Sequence, residues 1–199
     1  MKSTTSEIII VGAGPAGLAM AGRLREAGKD FLILEAQDSI VPAWHGHYDR
    51  LHLHTVKQWS HLPHMPFPDD YPLYVSRQQL IDYYDSYRTH YNIQPIFNQT
   101  IQNIRKDGES WHLTSQDSRY FADHIILATG VNRTPHIPDF PGQEDFSGEV
   151  IHSRNYKNPK AFLGKKVLIV GMGNTGAELA LDLSNYDIDT HISLSLIHI

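Results

Sequence analysis

Ile8-Ile9-Ile10-Val11-Gly12-Ala13-Gly14-Pro15-Ala16-Gly17 is the stretch whose reading decides the fold. Its consecutive β-branched residues read as a strand buried on both faces, as in a parallel sheet. The run then breaks into glycines, and a helix-forming segment follows at once. In a turn of this type Gly12 allows the tight bend, Gly14 lets the backbone approach a pyrophosphate, and Gly17 lets the new helix pack on the strand. Pro15 and Ala16 stand at the helix start, whose unpaired N–H groups and partial positive charge face the diphosphate. The pattern predicts a helix through Leu18, Ala21 and Leu24 that stops at Gly28. A second apolar strand, Phe31-Leu32-Ile33-Leu34, ends in Glu35-Ala36. Glu35 follows the glycines by about 20 residues, the place from which a carboxylate takes a ribose 2′-hydroxyl. The competing reading is an ordinary βαβ turn without a ligand; the full context favours a dinucleotide site.

The chain has 199 residues, no cysteine and a formal charge of −5. Mild acidity argues against nucleic acid as a partner, and no basic run marks a membrane surface. The lack of cysteine excludes a disulfide framework and any C-x-x-C redox pair, and fits an intracellular, cytoplasmic protein. Lys2 and the apolar stretch Ile8 to Ala21 superficially resemble a signal peptide. Gly12, Gly14, Pro15 and Gly17 interrupt that stretch, and the helix it enters carries Arg23 and Arg25, so neither a signal sequence nor a membrane span is expected.

Ser39 to Met65 is rich in Trp, His and Pro and reads as loop with short strands, Leu51 and Leu53 on one side and His52 and His54 on the other. The pairs His45/His47, His52/His54 and His61/His64 lack acidic or Cys partners at a ligand spacing, so no metal site is expected. Pro63 to Pro72 reads as a rigid extended connector. Ser76 caps a helix, with Gln79 completing a capping box. Leu80, Tyr83, Tyr84, Tyr87 and Tyr91 fall on one face of it and read as core. Strands are expected at Thr100–Lys106, Ser110–Thr114, Ser118–Phe121 and Asp123–Ala128, with Asp107-Gly108 as a hairpin turn, an antiparallel meander interrupting the parallel sheet. Its last strand ends at Ala128-Thr129-Gly130, where Gly130 permits close backbone approach to a cofactor.

Three prolines between Pro135 and Gly142 mark an extended linker and a domain boundary. After Phe146 to Tyr156 the opening theme returns. Val167-Leu168-Ile169-Val170 reads as a buried strand. Gly171-Met172-Gly173-Asn174-Thr175-Gly176 reads as a second phosphate-binding turn, followed by a helix from about Thr175 to Leu183. Two such signatures in one chain imply two dinucleotides.

With both turns and the linker placed, the chain resembles the class B flavin monooxygenases, the flavin-containing and Baeyer–Villiger enzymes. Phe146 to Tyr156 matches the pattern F-x-G-x-x-x-H-x-x-x-[YF] of the flavin-containing group; Baeyer–Villiger enzymes place Trp where Tyr156 stands. Tyr48-Asp49-Arg50-Leu51, Leu53-His54-Thr55, Leu62-Pro63 to Phe67-Pro68, Ser76-Arg77-Gln78 and His152-Ser153 with Tyr156-Lys157 resemble the plant indole-3-pyruvate monooxygenases (the YUCCA group) and their bacterial relatives. The resemblance implies an α/β fold with two Rossmann-like, FAD/NAD(P)-binding domains. The FAD domain, 1–140, carries the meander. The NADPH domain begins over 141–193 and is cut short.

On that resemblance Gly12, Gly14, Pro15, Ala16, Gly17, Glu35 and Ala36 bind the ADP half of FAD. Trp44, His54 and Thr55 lie near the isoalloxazine. Ala128, Thr129 and Gly130 form the turn joining the domains, and Gly171, Gly173, Asn174, Thr175 and Gly176 hold the NADPH pyrophosphate. The implied activity is NADPH- and FAD-dependent monooxygenation through a C4a-(hydro)peroxyflavin, with O₂ and a small organic molecule as substrates. The active-site Asn of other members has no clear counterpart between Trp44 and Trp59. The alternatives are a non-oxygenating FAD/NAD(P)H oxidoreductase and an inactive nucleotide-binding fragment.

Too few residues follow Gly176 for a βαβ unit of roughly 30. Leu194-Ser195-Leu196-Ile197-His198-Ile199 reads as the translation of a transposase sequencing adapter, so 194–199 is set aside from the fold. A natural terminal strand over Ile192 to Ile199 is the competing reading. Resequencing the source DNA is expected to find adapter at these codons; natural coding sequence there rejects the assignment.

Overall fold

The computed structural model describes residues 2–132 and 134–194. They fall into two units: Met1–His45 with His52–Arg133, and Gly46–Leu51 with Thr134–Ile199. The chain thus leaves the first unit for six residues, contributes a strap to the second, and returns.

In the first unit β1 (Lys2–Val11) leads through α1 (Pro15–Glu26) to β2 (Leu32–Leu34). A short helix α2 (Pro42–Gly46) and the longer α3 (Arg77–His90) precede β3 (Asn103–Asp107), β4 (Ser110–Thr114) and β5 (Ser118–Leu127). The sheet order is β2-β1-β5-β4-β3. Pairing of β1 is parallel to both β2 and β5, whereas β4 is antiparallel to both β5 and β3. The apolar half of β1 is buried as its composition requires, with Ile9 and Ile10 fully inside.

Two features of the sheet differ from the sequence expectation. β1 begins at Lys2, because its polar half pairs from Lys2↔Ser118 to Ser6↔Ala122. Half-exposed side chains suffice for a strand segment that a neighbour pairs along one whole edge. The two strands expected at Ser118–Phe121 and Asp123–Ala128 are one continuous strand, β5. Its first half is paired on both sides, to β1 and to β4. The meander therefore extends the parallel sheet instead of interrupting it. Asp107 is also still in the ladder, opposite Ser110, so the hairpin loop is Gly108-Glu109, with Gly108 at φ +60°.

Helix α3 carries the expected capping box, with both Ser76 and Gln79 bonds formed. Its stripe is core: Leu80, Tyr83 and Tyr87 are at most 2% exposed. The phenols also organise what precedes the helix. Tyr83 Oη accepts from Leu62 N at 2.7 Å and donates to Met65 O at 2.6 Å, and Tyr87 Oη donates to Pro63 O at 3.2 Å. Phe67 packs on Tyr83 with ring centroids 4.3 Å apart. The proline-rich connector is thereby bound down onto the core along its first half. Gly22 of α1 completes this layer, since a Cβ there would lie 1.9 Å from Tyr87 Oη.

In the second unit β6 (Lys166–Val170) pairs in parallel with β7 (Asp189–Ser193) around helix α4 (Asn174–Ser184). Phe146 to Tyr156 is irregular apart from a single helical turn at Ser153–Asn155. The expectation that Val167–Val170 is buried is not met, as Leu168 is 63% and Val170 59% exposed. Among the described residues β6 has one neighbouring strand, so one edge and part of its apolar surface stay open. β7 takes in Ile192 and Ser193, while 195–199 lie outside the described residues. No described helix is long and apolar enough to cross a membrane.

Burial pushes the Tyr83 phenol up to about 12 from an ordinary 10.0. The folded state therefore keeps this proton where the unfolded chain loses it, and stability is expected to fall as pH rises from about 10 towards 12. Urea unfolding across that range measures it. Tyr83→Phe is expected to be less stable at neutral pH and to show a shallower alkaline decline.

Candidate functional site

At the end of β1 the chain turns at Gly12, φ +109°, while Gly12 N donates to Leu34 O at 2.8 Å. A Cβ on Gly12 would lie 2.4 Å from Ala128 O, and one on Gly17 would lie 2.0 Å from Gly12 O. Both glycines are therefore demanded by the protein's own packing. Gly14 is different. It has ordinary extended backbone, φ −77° and ψ −176°, and a Cβ there would meet nothing within 4 Å. It is the N-cap of α1, Pro15 follows at the first helical position, and no side chain caps the helix. The tip is thus uncapped backbone with the helix dipole end facing open space at Gly14.

Glu35 closes this tip from the end of β2. It is 6% exposed, Oε2 accepts from Ala13 N at 2.8 Å, and Oε1 accepts from Gln37 N at 2.9 Å. Ala13 O in turn accepts from Val41 N at 3.0 Å. Val41 is buried and sits at φ +45°, a left-handed conformation that a β-branched side chain resists. That kink launches α2, whose Trp44 is half-buried against the core. Arg77 holds the end of α2, donating from Nε to Trp44 O and from Nη2 to His45 O, both at 2.9 Å. Sequence reading missed Val41, since its residue type gives no hint of positive φ.

Ala128, just past β5, donates from its N to Val11 O at 2.8 Å, and exposed Thr129 and Gly130 (φ +78°) follow. Gly12, Gly14, Gly17, Glu35 and Ala128 therefore gather at the carboxyl ends of β1, β2 and β5. That is where open α/β sheets bind ligands. His54 and Thr55 lie on another loop, exposed, tied down by Leu53 N to Val75 O at 2.8 Å and by Thr55 Oγ1 to Ser60 Oγ at 2.6 Å.

The second unit repeats the turn. Gly171 has φ +104° and its N donates to Ser193 O at 3.0 Å. A Cβ on Gly176 would lie 2.2 Å from Gly171 O. Gly173, at φ −71° and ψ 178°, is the uncapped N-cap of α4 and again has nothing within 4 Å of its Cβ position. Asn174 and Thr175 form the exposed first turn. Against the body of this unit lies the strap, through Tyr48 packed edge-on to Tyr156 at 6.2 Å and Arg50 paired with Glu178 at 3.4 Å. Burial first, then the Glu178 charge, raises the Tyr48 phenol to about 12.

His61 and His64 make polar contacts of their own. His64 Nε2 meets Arg23 Nη1 at 2.9 Å and His61 Nδ1 faces Leu62 O at 2.9 Å. Among the described residues no three His, Cys, Asp or Glu side chains converge on one point.

Two strand–glycine–helix tips of one geometry define a dinucleotide-binding α/β protein of the Rossmann type. The chain belongs to the pyridine nucleotide-disulphide oxidoreductase family, whose family model matches residues 9–195. It is 44% identical over 187 residues to a probable indole-3-pyruvate monooxygenase of Arabidopsis thaliana, YUCCA4, covering 92% of this chain and 46% of that protein. The solved flavin-containing monooxygenase of Stenotrophomonas maltophilia is 30% identical, with a TM-score of 0.86 over 98% of this chain and 58% of that one. OTEMO, solved in complex with FAD and NADP, shares the fold at 21% identity and a TM-score of 0.78, over 95% of this chain and 38% of that one. The chain spans about half the length of the curated relatives it matches.

Packing and ligand glycines are separable by experiment. Gly17→Ala drives a methyl into a backbone carbonyl and is expected to destabilise the first unit by about 1–3 kcal/mol. Gly14→Ala meets open space and is expected to cost only the poorer N-cap of alanine, below about 1 kcal/mol. Urea unfolding of the two variants gives the comparison.

Proposed function

We propose that this chain carries the FAD site and the start of the NADPH site of a flavin-dependent monooxygenase that uses O₂ on a small organic substrate. One observation supports it above the rest. Gly14 and Gly173 are glycine although neither the backbone angles nor any neighbouring atom requires it. A group from outside the chain accounts for both. A diphosphate fits the chemistry, because the first turn of each helix carries no side-chain cap on its backbone N–H donors; at the first tip Glu35 takes only Ala13 N, ahead of the helix.

In this reading Gly12, Gly14, Pro15, Ala16 and Gly17 form the seat of the FAD diphosphate. Glu35, fixed by two backbone donors, accepts from the adenosine ribose with its remaining lone pairs. Ala36, Ala128, Thr129 and Gly130 line the approach. Trp44, His54 and Thr55 face the flavin ring. Gly171, Gly173, Asn174, Thr175 and Gly176 seat the NADPH diphosphate. The flavin, when bound, supplies hydride acceptance and oxygen activation; the chain's residues bind, orient and exclude water. Nothing on the tips requires an acid–base pair, in keeping with a cofactor that carries the reaction.

A second reading has a specific observation behind it: the open apolar face of β6 at Leu168 and Val170. It takes the 199-residue chain by itself as a FAD-binding fragment without turnover, prone to association through that face.

Gly14→Asp separates binding from folding. Asp is a favoured N-cap, so stability is expected to hold or rise, while its carboxylate occupies the anion seat. FAD affinity, followed by quenching of flavin fluorescence on the full chain, is expected to fall at least about tenfold. An unsubstituted chain that purifies colourless and fails to bind added FAD overturns the reading. For a longer protein containing this chain, NADPH-driven flavin reduction followed by oxygen uptake and an oxygenated product distinguishes a monooxygenase from a reductase.

A further inference from the structure

Helix α4 is gripped by side chains that the nucleotide turn does not need. Asp182, 4% exposed, accepts from Tyr156 Oη at 2.7 Å through Oδ2. Four residues earlier, and so on the same face, Glu178 Oε2 lies 3.4 Å from Arg50 Nη1. Tyr156 is buried, edged by Tyr48 and with Phe162 5.5 Å away. The strap that supplies Arg50 is pinned at three points. Lys157 Nζ donates to Gly46 O, Asp49 N donates to Lys157 O at 2.9 Å, and Asn158 Nδ2 donates to Asp49 Oδ2 at 3.1 Å.

A buried carboxylate costs free energy that an apolar residue at the same place avoids. Buried Leu179 and Leu183 already hold α4 down, but apolar contact has no direction. The Tyr156–Asp182 bond adds direction. Burial, then the hydrogen bond to Asp182, holds the Tyr156 phenol well above the usual tyrosine range, in keeping with its role as donor.

We propose that Tyr156 and Arg50 are positioning residues for the second nucleotide. They fix the rotation and height of α4 through Asp182 and Glu178, so that the first-turn N–H groups point at the diphosphate. The inference rests on the reading of the α4 tip as the nicotinamide-nucleotide site. Arg50 has a second task there. Glu178 follows the first turn closely, and its charge opposes an incoming diphosphate; the guanidinium offsets it. Tyr156, the last residue of the Phe146–Tyr156 segment, thus acts on the nucleotide at one remove, through helix orientation.

The test compares Tyr156→Phe, Asp182→Asn and Arg50→Met with the unsubstituted full chain. Two measurements are made: amide hydrogen exchange across α4 without nucleotide, and equilibrium titration with NADP⁺, with FAD titrated in parallel. Tyr156→Phe keeps the ring and loses the bond. Exchange in the first turns of α4 is expected to quicken and NADP⁺ affinity to fall about tenfold, with β1 exchange and FAD affinity unchanged. Asp182→Asn retains an acceptor for the phenol and is expected to stay near the parent. Arg50→Met is expected to weaken NADP⁺ more at low salt than at high salt. Unchanged α4 exchange, or unchanged NADP⁺ affinity in Tyr156→Phe at a temperature where the chain is folded, overturns the positioning role and leaves the nucleotide site standing. An unsubstituted chain that does not bind NADP⁺ although α4 exchange responds to Tyr156→Phe overturns the nucleotide site and, with it, the positioning role.

Discussion

A helix can rest on the strand that precedes it only as closely as its first turn allows, and here that distance admits no side chain. Gly17 lies on the carbonyl of Gly12, and Gly176 on that of Gly171, at separations that exclude a Cβ. This contact brings the start of each helix over the end of its strand, so the N–H groups and the dipole of the helix emerge at the sheet edge. The left-handed turn at Gly12 and at Gly171, the open space beside Gly14 and Gly173, and the absence of a side-chain cap accompany it at both tips.

Around the first tip the structure spends its polar groups on holding one residue. Ala13 is bound by its N–H to a buried carboxylate and by its carbonyl to Val41 N. Val41 retains a backbone conformation its side chain disfavours because that bond, its burial and the helix it starts all require it. These bonds hold the tip in place without a ligand, and a seat so preorganised loses less entropy on binding.

Both glycine turns, Glu35, the capping box at Ser76 and the tyrosine stripe of α3 were legible because each rests on chemistry local to a few residues. The polar half of β1 was not, since Lys2 to Glu7 becomes a strand only through the backbone of a distant partner. The division of β5 failed for the same reason: Ala122 and Asp123 look like a break until Ser6 of β1 and Trp111 of β4 pair with Ala122 and β1 takes up the ladder again at His124. The exposed face of β6 reads as buried because apolar composition reports what a strand seeks, and not what is present to cover it. The strap, Asp182 and the strain at Val41 left no local signal. Tyr48 to Leu51 and Tyr156 could be marked by family resemblance, but their attachment to α4 is a matter of tertiary contact.

The long strand β5 has a consequence for how the first unit comes into being. It belongs at once to a hairpin whose partners adjoin in sequence and to a parallel pairing whose partners lie at opposite ends of the unit. Hairpin closure requires little loop ordering, whereas the parallel pairing must wait for nearly the whole unit to be synthesised. On the ribosome β1 therefore emerges well before β5, and its apolar half, Ile8 to Val11, stays without that partner until β5 is made. The meander made at the end of the unit serves as the template on which β1 is finally laid.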